Sequence, residues 1–184
     1  MGRTDSPLTE AGVAHAHRLA RRLERWFSSP TVGAISLLSS PARRAQETAR
    51  LATGWIGLAM ETDADLWEID FGRWEGLSFQ EIVSADPTLV TEWARGEMDF
   101  GFPEGERVGS FQARVARAGA RMRRFREETL IVVTHGGVIR FLICYFLGLS
   151  PQSHLMFEVN PGSISRLRLY DGGAVLAGLN DFDF

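Results

Sequence analysis

The sequence contains no lysine, and all twenty of its basic residues are arginine. A lysine Schiff base and the lysine of a P-loop are therefore excluded. Cysteine is nearly absent as well, because Cys144 is the only one. Neither a disulfide within the chain nor a cysteine zinc site can form, so we interpret Cys144 as a small, buried apolar residue.

Long apolar runs are also lacking. The apolar stretch at 138–149 is too short and too interrupted to span a bilayer, and no apolar segment of a signal peptide follows the first five residues. A cytoplasmic location is the default expectation.

A net charge of −3 implies no general attraction to nucleic acid. We expect one globular domain over residues 1–184, with a small molecule as partner rather than a nucleic acid or a membrane; whether a homodimer forms is not readable from the sequence.

Hydrophobic periodicity predicts alternating helices and strands. The predicted order is a helix capped by Thr9, a strand at 34–38, a helix after Pro41, a loop, a helix beginning at Ser78, an amphipathic helix at 110–125, a strand at 130–133, a helix to Leu147 and a hairpin about residues 171–173. This order predicts the α/β class, as a three-layer αβα sandwich with a mostly parallel central sheet. The arginines of the 110–125 helix are expected to form a solvated face.

The block Thr134-His135-Gly136-Gly137 stands between an apolar strand pattern and a helical pattern. It places an imidazole at the carboxyl end of a strand and beside a helix N-terminus, where ligands bind in open α/β sheets. Backbone N–H groups and the helix dipole favour anions there, phosphate above all. The alternative is a tight turn that holds its histidine incidentally.

Four blocks in this order and spacing resemble the histidine phosphatase superfamily, the phosphoglycerate mutase-like group. They are residues 2–12 (GRTDSPLTEAG), 39–49 (SSPARRAQETA), 66–76 (LWEIDFGRWEG) and 134–140 (THGGVIR). A smaller segment at 103–106 resembles a Pro-Gly-Gly-Glu-Ser segment of the phosphatase members, with Glu104 and Arg107 in place of a glycine and the serine. The resemblance covers nearly the whole chain.

The resemblance implies a role for each of four residues. Arg44 matches the arginine that binds the transferred phosphoryl group, a role that suits a planar set of donors. Glu68 matches the general acid/base, which needs a raised pKa. His135 matches the second histidine of the pocket, which stabilises charge on the phosphoryl oxygens, and Gly136 lets the backbone approach the phosphate.

Other readings of these residues stay open. Arg44 alone could form a helix-face ion pair, Glu68 could be a solvated loop residue and His135 could belong to a capped turn. Asp70 and Glu75 are alternative acid/base residues, and Arg43 occupies a variable position that suits a surface charge.

The remaining histidines do not suggest a metal site. His15 and His17, at i and i+2, do not share a helix face, and His154 falls in a loop. The chemistry implied by the resemblance needs no metal and no cofactor.

One block of the superfamily is absent from the sequence. The resemblance implies an Arg-His-Gly-Glu motif at the end of a first strand, just before residue 2, whose histidine is the nucleophile and forms a phosphohistidine. That strand would lie beside the 130–133 strand in the centre of the sheet. Three explanations stand: leading residues omitted from the sequence, a start codon assigned too far downstream, or a loss that the structure compensates.

The resemblance implies a histidine acid phosphatase-like phosphomonoesterase, with the phosphohistidine formed in the full-length parent protein. A phosphatase is favoured over a phosphoglycerate mutase because the chain is short and carries Thr-His-Gly-Gly rather than Ala-His-Gly-Asn. The second hypothesis is a catalytically inactive phosphate-binding or interaction protein that has lost the nucleophile. The substrate cannot be read from the sequence.

Overall fold

Helices and parallel strands alternate along the computed structural model, which describes residues 2–28 and 33–182. The helices are α1 (Glu10–Phe27), α2 (Arg43–Thr53), α3 (Phe79–Ala85), α4 (Pro87–Trp93), α5 (Val108–Met122) and α6 (Gly136–Leu147). The strands are β1 (Ile35–Ser39), β2 (Met60–Thr62), β3 (Thr129–Val133), β4 (Ile164–Tyr170) and β5 (Gly173–Asp181). Short 3₁₀ helices lie at Ala64–Leu66, Gly72–Trp74 and Pro151–Met156.

Local capping explains where several helices begin. The Thr9 side chain accepts a hydrogen bond from the Gly12 N–H and so caps α1, as predicted. Ser78 and Glu81 form a capping box at the start of α3. Neither β2, which has only three residues, nor α4, which has seven and begins at Pro87, was predicted from the sequence.

The parallel sheet has the strand order β2-β1-β3, and β4 pairs with β5 in a separate antiparallel sheet. Ser39 of β1 is in register with Val133 of β3, so the carboxyl ends of these two strands lie side by side. Within residues 2–28 and 33–182, β1 is the one strand that hydrogen-bonds to β3. The α/β class with a parallel central sheet is confirmed, and the hairpin forms its own sheet.

Side chains of β1 alternate between two buried environments. Leu38 packs into the main core, which α5 and α6 line with Phe111, Val115 and Phe141. Because successive strand residues face opposite sides, Leu37 is buried on the other face, where α2 contacts the strand. Cys144 is buried, as predicted. Among the residues described, no helix is long and apolar enough to cross a bilayer.

The expectation of a solvated arginine face on α5 is wrong for one residue. Arg117 and Arg121 lie at the surface and pair with Asp63 and Asp65, but Arg114 is 6% exposed. Its guanidinium is buried because the backbone and a carboxylate satisfy it, as described below.

Candidate active site

The site lies where β1 and β3 end side by side. Ser40 follows β1 and donates its backbone N–H to the Val133 carbonyl at 2.9 Å, which holds the two strand ends together. Beyond them, β1 leads to Arg44 in the first turn of α2, and β3 leads to His135, the N-cap residue of α6. Each strand therefore delivers one predicted site residue to the same edge of the sheet.

His135 is 8% exposed, and both of its ring nitrogens have partners. Its Nδ1 lies 3.3 Å from Arg44 Nη2, and its Nε2 lies 2.8 Å from Ser40 Oγ. Because a guanidinium cannot accept a hydrogen bond, we assign Nδ1 as the acceptor and Nε2–H as the donor to Ser40. Burial, followed by the charge of Arg44, lowers the pKa of His135 to about 3, so the ring is neutral.

Glu68 reaches the amino end of α6 from the loop that follows β2. Its Oε2 accepts from the Gly137 N–H at 3.0 Å, and its Oε1 accepts from the Ile69 N–H at 3.0 Å. Burial raises the pKa of the Glu68 carboxyl, although these backbone hydrogen bonds oppose the shift. Gly137 permits this approach, because a Cβ atom there would lie 2.4 Å from Glu68 Oε1.

Arg114 of α5 holds the backbone of this loop. Its Nη1 donates to the carbonyls of Asp65 (2.9 Å) and Trp67 (2.6 Å), and its Nη2 donates to the Glu68 carbonyl at 2.9 Å. Its Nε and Nη2 also donate to the two carboxylate oxygens of Glu106, each at 2.8 Å. All five guanidinium N–H donors are thus used, and the backbone that carries Glu68 is fixed to α5.

Residues 2–4 form a turn against the site, and Glu75 binds its backbone. The Glu75 carboxylate accepts from the Gly2 N–H at 2.9 Å, the Arg3 N–H at 2.7 Å and the Thr4 hydroxyl at 2.7 Å. These contacts outweigh the effect of burial and lower the pKa of Glu75 to about 2, so it is ionised near neutral pH and cannot act as a general acid there. Arg44 holds the other side of the turn, donating to the Gly2 carbonyl at 2.7 Å and the Thr4 carbonyl at 2.8 Å.

The structure thus brings Arg44, Glu68, His135 and Gly136 together at the amino end of α6. Among the described residues, Arg44 uses three of its five N–H donors on the two carbonyls and His135 Nδ1, which leaves two for a ligand. A Cβ atom at Gly136 would find only the Val159 carbonyl oxygen within 4 Å, at 3.7 Å, so this end of the helix is open. Helix N–H groups and a guanidinium beside an open space are suited to an oxyanion.

The other candidates lie elsewhere or have other partners. Asp70 accepts from the Gly72 N–H at 2.8 Å and so closes a local turn. Arg43 pairs with Glu47 at the surface, and His154 stacks on the ring of Phe141 in α6. Within residues 2–28 and 33–182, no group of three or more His, Cys, Asp or Glu side chains could hold a metal ion.

Sequence reasoning missed Ser40 and Arg114. Ser40 lies within one of the four matched blocks, but the pattern Ser-Ser-Pro predicts only the start of a helix there. Arg114 is one of several arginines on an amphipathic helix, and nothing in the spacing separates the buried one from its exposed neighbours.

Comparison with known proteins identifies the family of the chain. The chain matches the histidine phosphatase superfamily (branch 1) over residues 1–182. It is 29% identical to the adenosylcobalamin/alpha-ribazole phosphatase of Escherichia coli (strain K12), with 97% of this chain and 86% of that protein covered. It is 32% identical to phosphoglycerate mutase-like protein 4 of Arabidopsis thaliana, with 93% of this chain and 72% of that protein covered. The crystal structure of the alpha-ribazole phosphatase from Shigella flexneri superposes with a TM-score of 0.86 at 28% identity, over 98% of this chain and 87% of that one. The chain therefore belongs to the histidine phosphatase superfamily.

Proposed function

We propose that this protein supplies the phosphoryl-binding and acid/base groups of a phosphomonoester hydrolase that works through a phosphohistidine. The observation that carries the proposal is the convergence of Arg44, Glu68 and His135 on the amino end of α6. A guanidinium with free donors suits a phosphoryl dianion, and a carboxyl whose pKa is raised by burial suits proton donation to a leaving group. Phosphatases among the relatives support the same reaction class.

In the first step, a histidine ring nitrogen attacks phosphorus and the P–O ester bond breaks. Arg44 donates N–H groups to phosphoryl oxygens, and His135 beside it, once protonated on Nδ1, donates to them and stabilises their charge. Burial favours the protonated form of Glu68 by raising its pKa, and in that form Glu68 gives its proton to the leaving alkoxide, which departs as the alcohol.

In the second step, water attacks the phosphohistidine. Glu68, now a carboxylate, takes a proton from that water as the new P–O bond forms and the P–N bond breaks. Inorganic phosphate leaves, and both the histidine and Glu68 return to their starting states.

The nucleophilic histidine is proposed to come from a segment outside the described residues. Both ring nitrogens of His135 are engaged, and His154 donates its Nδ1–H to the Pro151 carbonyl of its own loop and stacks on Phe141 with ring centroids 4.2 Å apart. His15 lies against the loop at Gly162, on α1. The edge of β3 opposite β1 has no strand partner among the described residues, and a parallel strand there would end beside His135.

Phosphate binding by the 184-residue chain tests the proposal directly. Titration calorimetry with inorganic phosphate compares the wild type with Arg44→Gln and with Arg43→Gln, which removes a neighbouring surface arginine. We expect Arg44→Gln to weaken binding at least about tenfold, because two charge-assisted hydrogen bonds are lost. Arg43→Gln is expected to bind as the wild type does. Equal losses in both variants, or no binding by the wild type, would refute a phosphoryl site at Arg44.

Turnover separates the enzyme from an inactive phosphate-binding protein, the second candidate. The placement of the histidines predicts that residues 1–184 alone bind phosphate without a burst of p-nitrophenol from p-nitrophenyl phosphate. In-frame codons for Arg-His-Gly upstream of Met1, in a protein that shows a burst and an acid-labile phosphoryl-enzyme, support the hydrolase. An in-frame stop immediately before Met1 supports the binding protein.

A mutase is distinguished by its product. Interconversion of 3-phosphoglycerate that depends on a bisphosphoglycerate primer would overturn the proposal of a hydrolase, whereas release of inorganic phosphate without primer agrees with it.

A further inference from the structure

Arg3 lies at the rim of the site, between two groups that bind Arg44. It separates Gly2 from Thr4, whose carbonyl oxygens accept from the Arg44 guanidinium at 2.7 and 2.8 Å. The Arg3 side chain is exposed, and its guanidinium carbon lies 5.4 Å from the centroid of the Trp67 indole. This distance is typical of a cation–π contact, which orients an otherwise flexible side chain.

Both ends of this contact are fixed to the site. The backbone N–H of Arg3 donates to Glu75 Oε1 at 2.7 Å, and Trp67 immediately precedes Glu68. The Trp67 carbonyl accepts from the buried guanidinium of Arg114 at 2.6 Å, so the indole is attached to an immobilised segment. The Arg3 guanidinium is therefore held at the rim of the site, over the residue that precedes the proposed proton donor.

The charge of Arg3 is not neutralised nearby. Within the described part of the chain, no carboxylate forms an ion pair with its guanidinium. Arg114, by contrast, is paired with Glu106 through two hydrogen bonds. The Glu75 carboxylate is occupied by backbone N–H groups and the Thr4 hydroxyl. If Arg44 and the α6 N-terminus bind the phosphoryl group, Arg3 is a further cation directed at the rest of the substrate.

We propose that Arg3, held over Trp67, selects phosphomonoesters whose leaving group carries a second negative charge. The inference rests on the proposed function, because it takes Arg44 and the end of α6 as the phosphoryl site. A charge several ångströms from a guanidinium at a partly solvated rim changes affinity by about threefold to tenfold. Arg3 is thus a specificity residue that recognises charge and not the shape of one compound. The lowered pKa of His135, to which the charge of Arg3 contributes after burial, Arg44 and Arg114, agrees with its placement near the site.

A matched pair of ligands tests this inference. D-3-phosphoglycerate and sn-glycerol 3-phosphate share a carbon skeleton and differ by a carboxylate in place of a hydroxymethyl group. Titration calorimetry gives the ratio of their dissociation constants for the wild type, Arg3→Gln, Arg3→Lys and Arg168→Gln. The last variant removes an exposed arginine on β4 and is the control for net charge.

We expect the wild type and Arg168→Gln to bind 3-phosphoglycerate about fivefold more tightly than glycerol phosphate. The ratio is expected to approach one in Arg3→Gln, to be largely retained in Arg3→Lys, and to decrease in high salt. A wild-type ratio near one, or a ratio that Arg3→Gln does not change, overturns the inference. Equal weakening of both ligands by Arg3→Gln also overturns it, since Arg3 would then bind the phosphoryl group itself.

The same titrations separate this inference from the proposed function. If both ligands bind and Arg44→Gln abolishes that binding, the phosphoryl site stands whatever the ratio. If neither ligand binds, or Arg44→Gln has no effect, the phosphoryl site and the inference fail together.

Discussion

At the scale of single residues, the buried guanidinium of Arg114 supplies hydrogen bonds that the loop before Glu68 does not make within itself. The residues before Glu68 form a short 3₁₀ turn and irregular backbone, which has few internal hydrogen bonds. Arg114 donates hydrogen bonds to three carbonyl oxygens of that backbone, and its charge is neutralised by Glu106. A carboxyl that must meet a substrate within a few tenths of an ångström needs such support.

Replacing Arg114 is therefore expected to cost stability as well as position. Arg114→Met leaves the Glu106 carboxylate, whose side chain is 15% exposed, without its cation, and we expect the free energy of unfolding to fall by about 3 kcal/mol. Arg117→Met, three residues along the same helix, removes a side chain that is 60% exposed and pairs at the surface, so a loss under about 1 kcal/mol is expected. Urea denaturation at neutral pH measures both. Equal losses would show that the burial of Arg114 has no energetic importance.

The His135 ring links anion binding to protonation. Its Nδ1 accepts from Arg44, and its pKa is lowered to about 3 by burial and by that charge. An oxyanion that binds Arg44 beside the ring offers an acceptor for a proton on Nδ1, so binding raises the pKa of His135. Anion affinity should then increase as the pH falls.

Sulfate is the suitable probe, because its own charge is constant over this range. We expect sulfate to bind progressively more tightly from about pH 8 to pH 5, approaching tenfold per pH unit at most. Protonation of Glu68 acts in the same direction, so calorimetry is repeated on His135→Gln and Glu68→Gln. The dependence is expected to persist in Glu68→Gln and to decrease in His135→Gln to the part that Glu68 contributes. A dependence that instead vanishes only in Glu68→Gln assigns the proton to the carboxyl.

At the scale of elements, the first turn of α6 combines two glycines with different tasks. A Cβ atom at Gly137 would lie 2.4 Å from Glu68 Oε1, whereas at Gly136 it would meet nothing nearer than 3.7 Å. Gly137 therefore accommodates Glu68, and Gly136 leaves space in front of the helix.

Alanine at each position distinguishes these tasks. Gly137→Ala must displace the Glu68 carboxyl, so we expect the free energy of unfolding to fall by about 1–3 kcal/mol. Gly136→Ala fits the protein, so its stability should be unchanged or slightly raised, yet phosphate binding should weaken because the methyl group occupies the open space. Thermal unfolding and phosphate titration of both variants check this. Normal phosphate binding by Gly136→Ala would show that the anion does not approach that residue.

The elements that the sequence predicted well are those with a strong local signal. The Thr9 and Ser78 caps, the helix after Gly136 and the hairpin about Gly172 all follow from capping, periodicity or turn chemistry. β2 and α4 were not predicted, because elements of so few residues are too short to show a hydrophobic period. The helix predicted at 110–125 is present in the structure, but it ends at Met122.

The residues of the candidate site also fall into those that the sequence predicts and those that it does not. Arg44, Glu68 and His135 could be named from the matched blocks, and their roles stay predictions. The partners that tune them could not be named, because Ser40 and Arg114 contact residues that are distant in sequence. A pattern along one chain contains no information about which of several arginines the fold will bury.

At the scale of the whole molecule, the site makes the protein's stability depend on pH in two opposite ways. The pKa of His135 is lowered to about 3 from 6.5, so its contribution to stability is present above pH 6.5 and is lost as the pH falls toward 3. The pKa of Glu68 is raised by burial, so its contribution is present below its unfolded value of 4.5 and is lost as the pH rises through the folded value. Between pH 4.5 and 6.5 these two residues therefore oppose each other.

Removing His135 and removing Glu68 should change the pH dependence of the free energy of unfolding in opposite directions. In His135→Gln the loss that this histidine contributes below pH 6.5 disappears and the Glu68 contribution remains, so the free energy of unfolding should fall less steeply than in the wild type as the pH falls from 6.5 to 4.5. In Glu68→Gln the opposing contribution of the carboxyl is absent, so the free energy of unfolding should fall more steeply with falling pH than in the wild type. The linkage of one proton limits the His135 slope to about 1.4 kcal/mol per pH unit. Urea denaturation across this range gives the slopes, which cancel any constant cost of the substitutions. His17→Gln, on an exposed face of α1, is the control for loss of a histidine. Slopes that change in the same direction in both site variants would show that Glu68 and His135 do not carry opposite proton linkages, and the electrostatic description of the site would then be wrong.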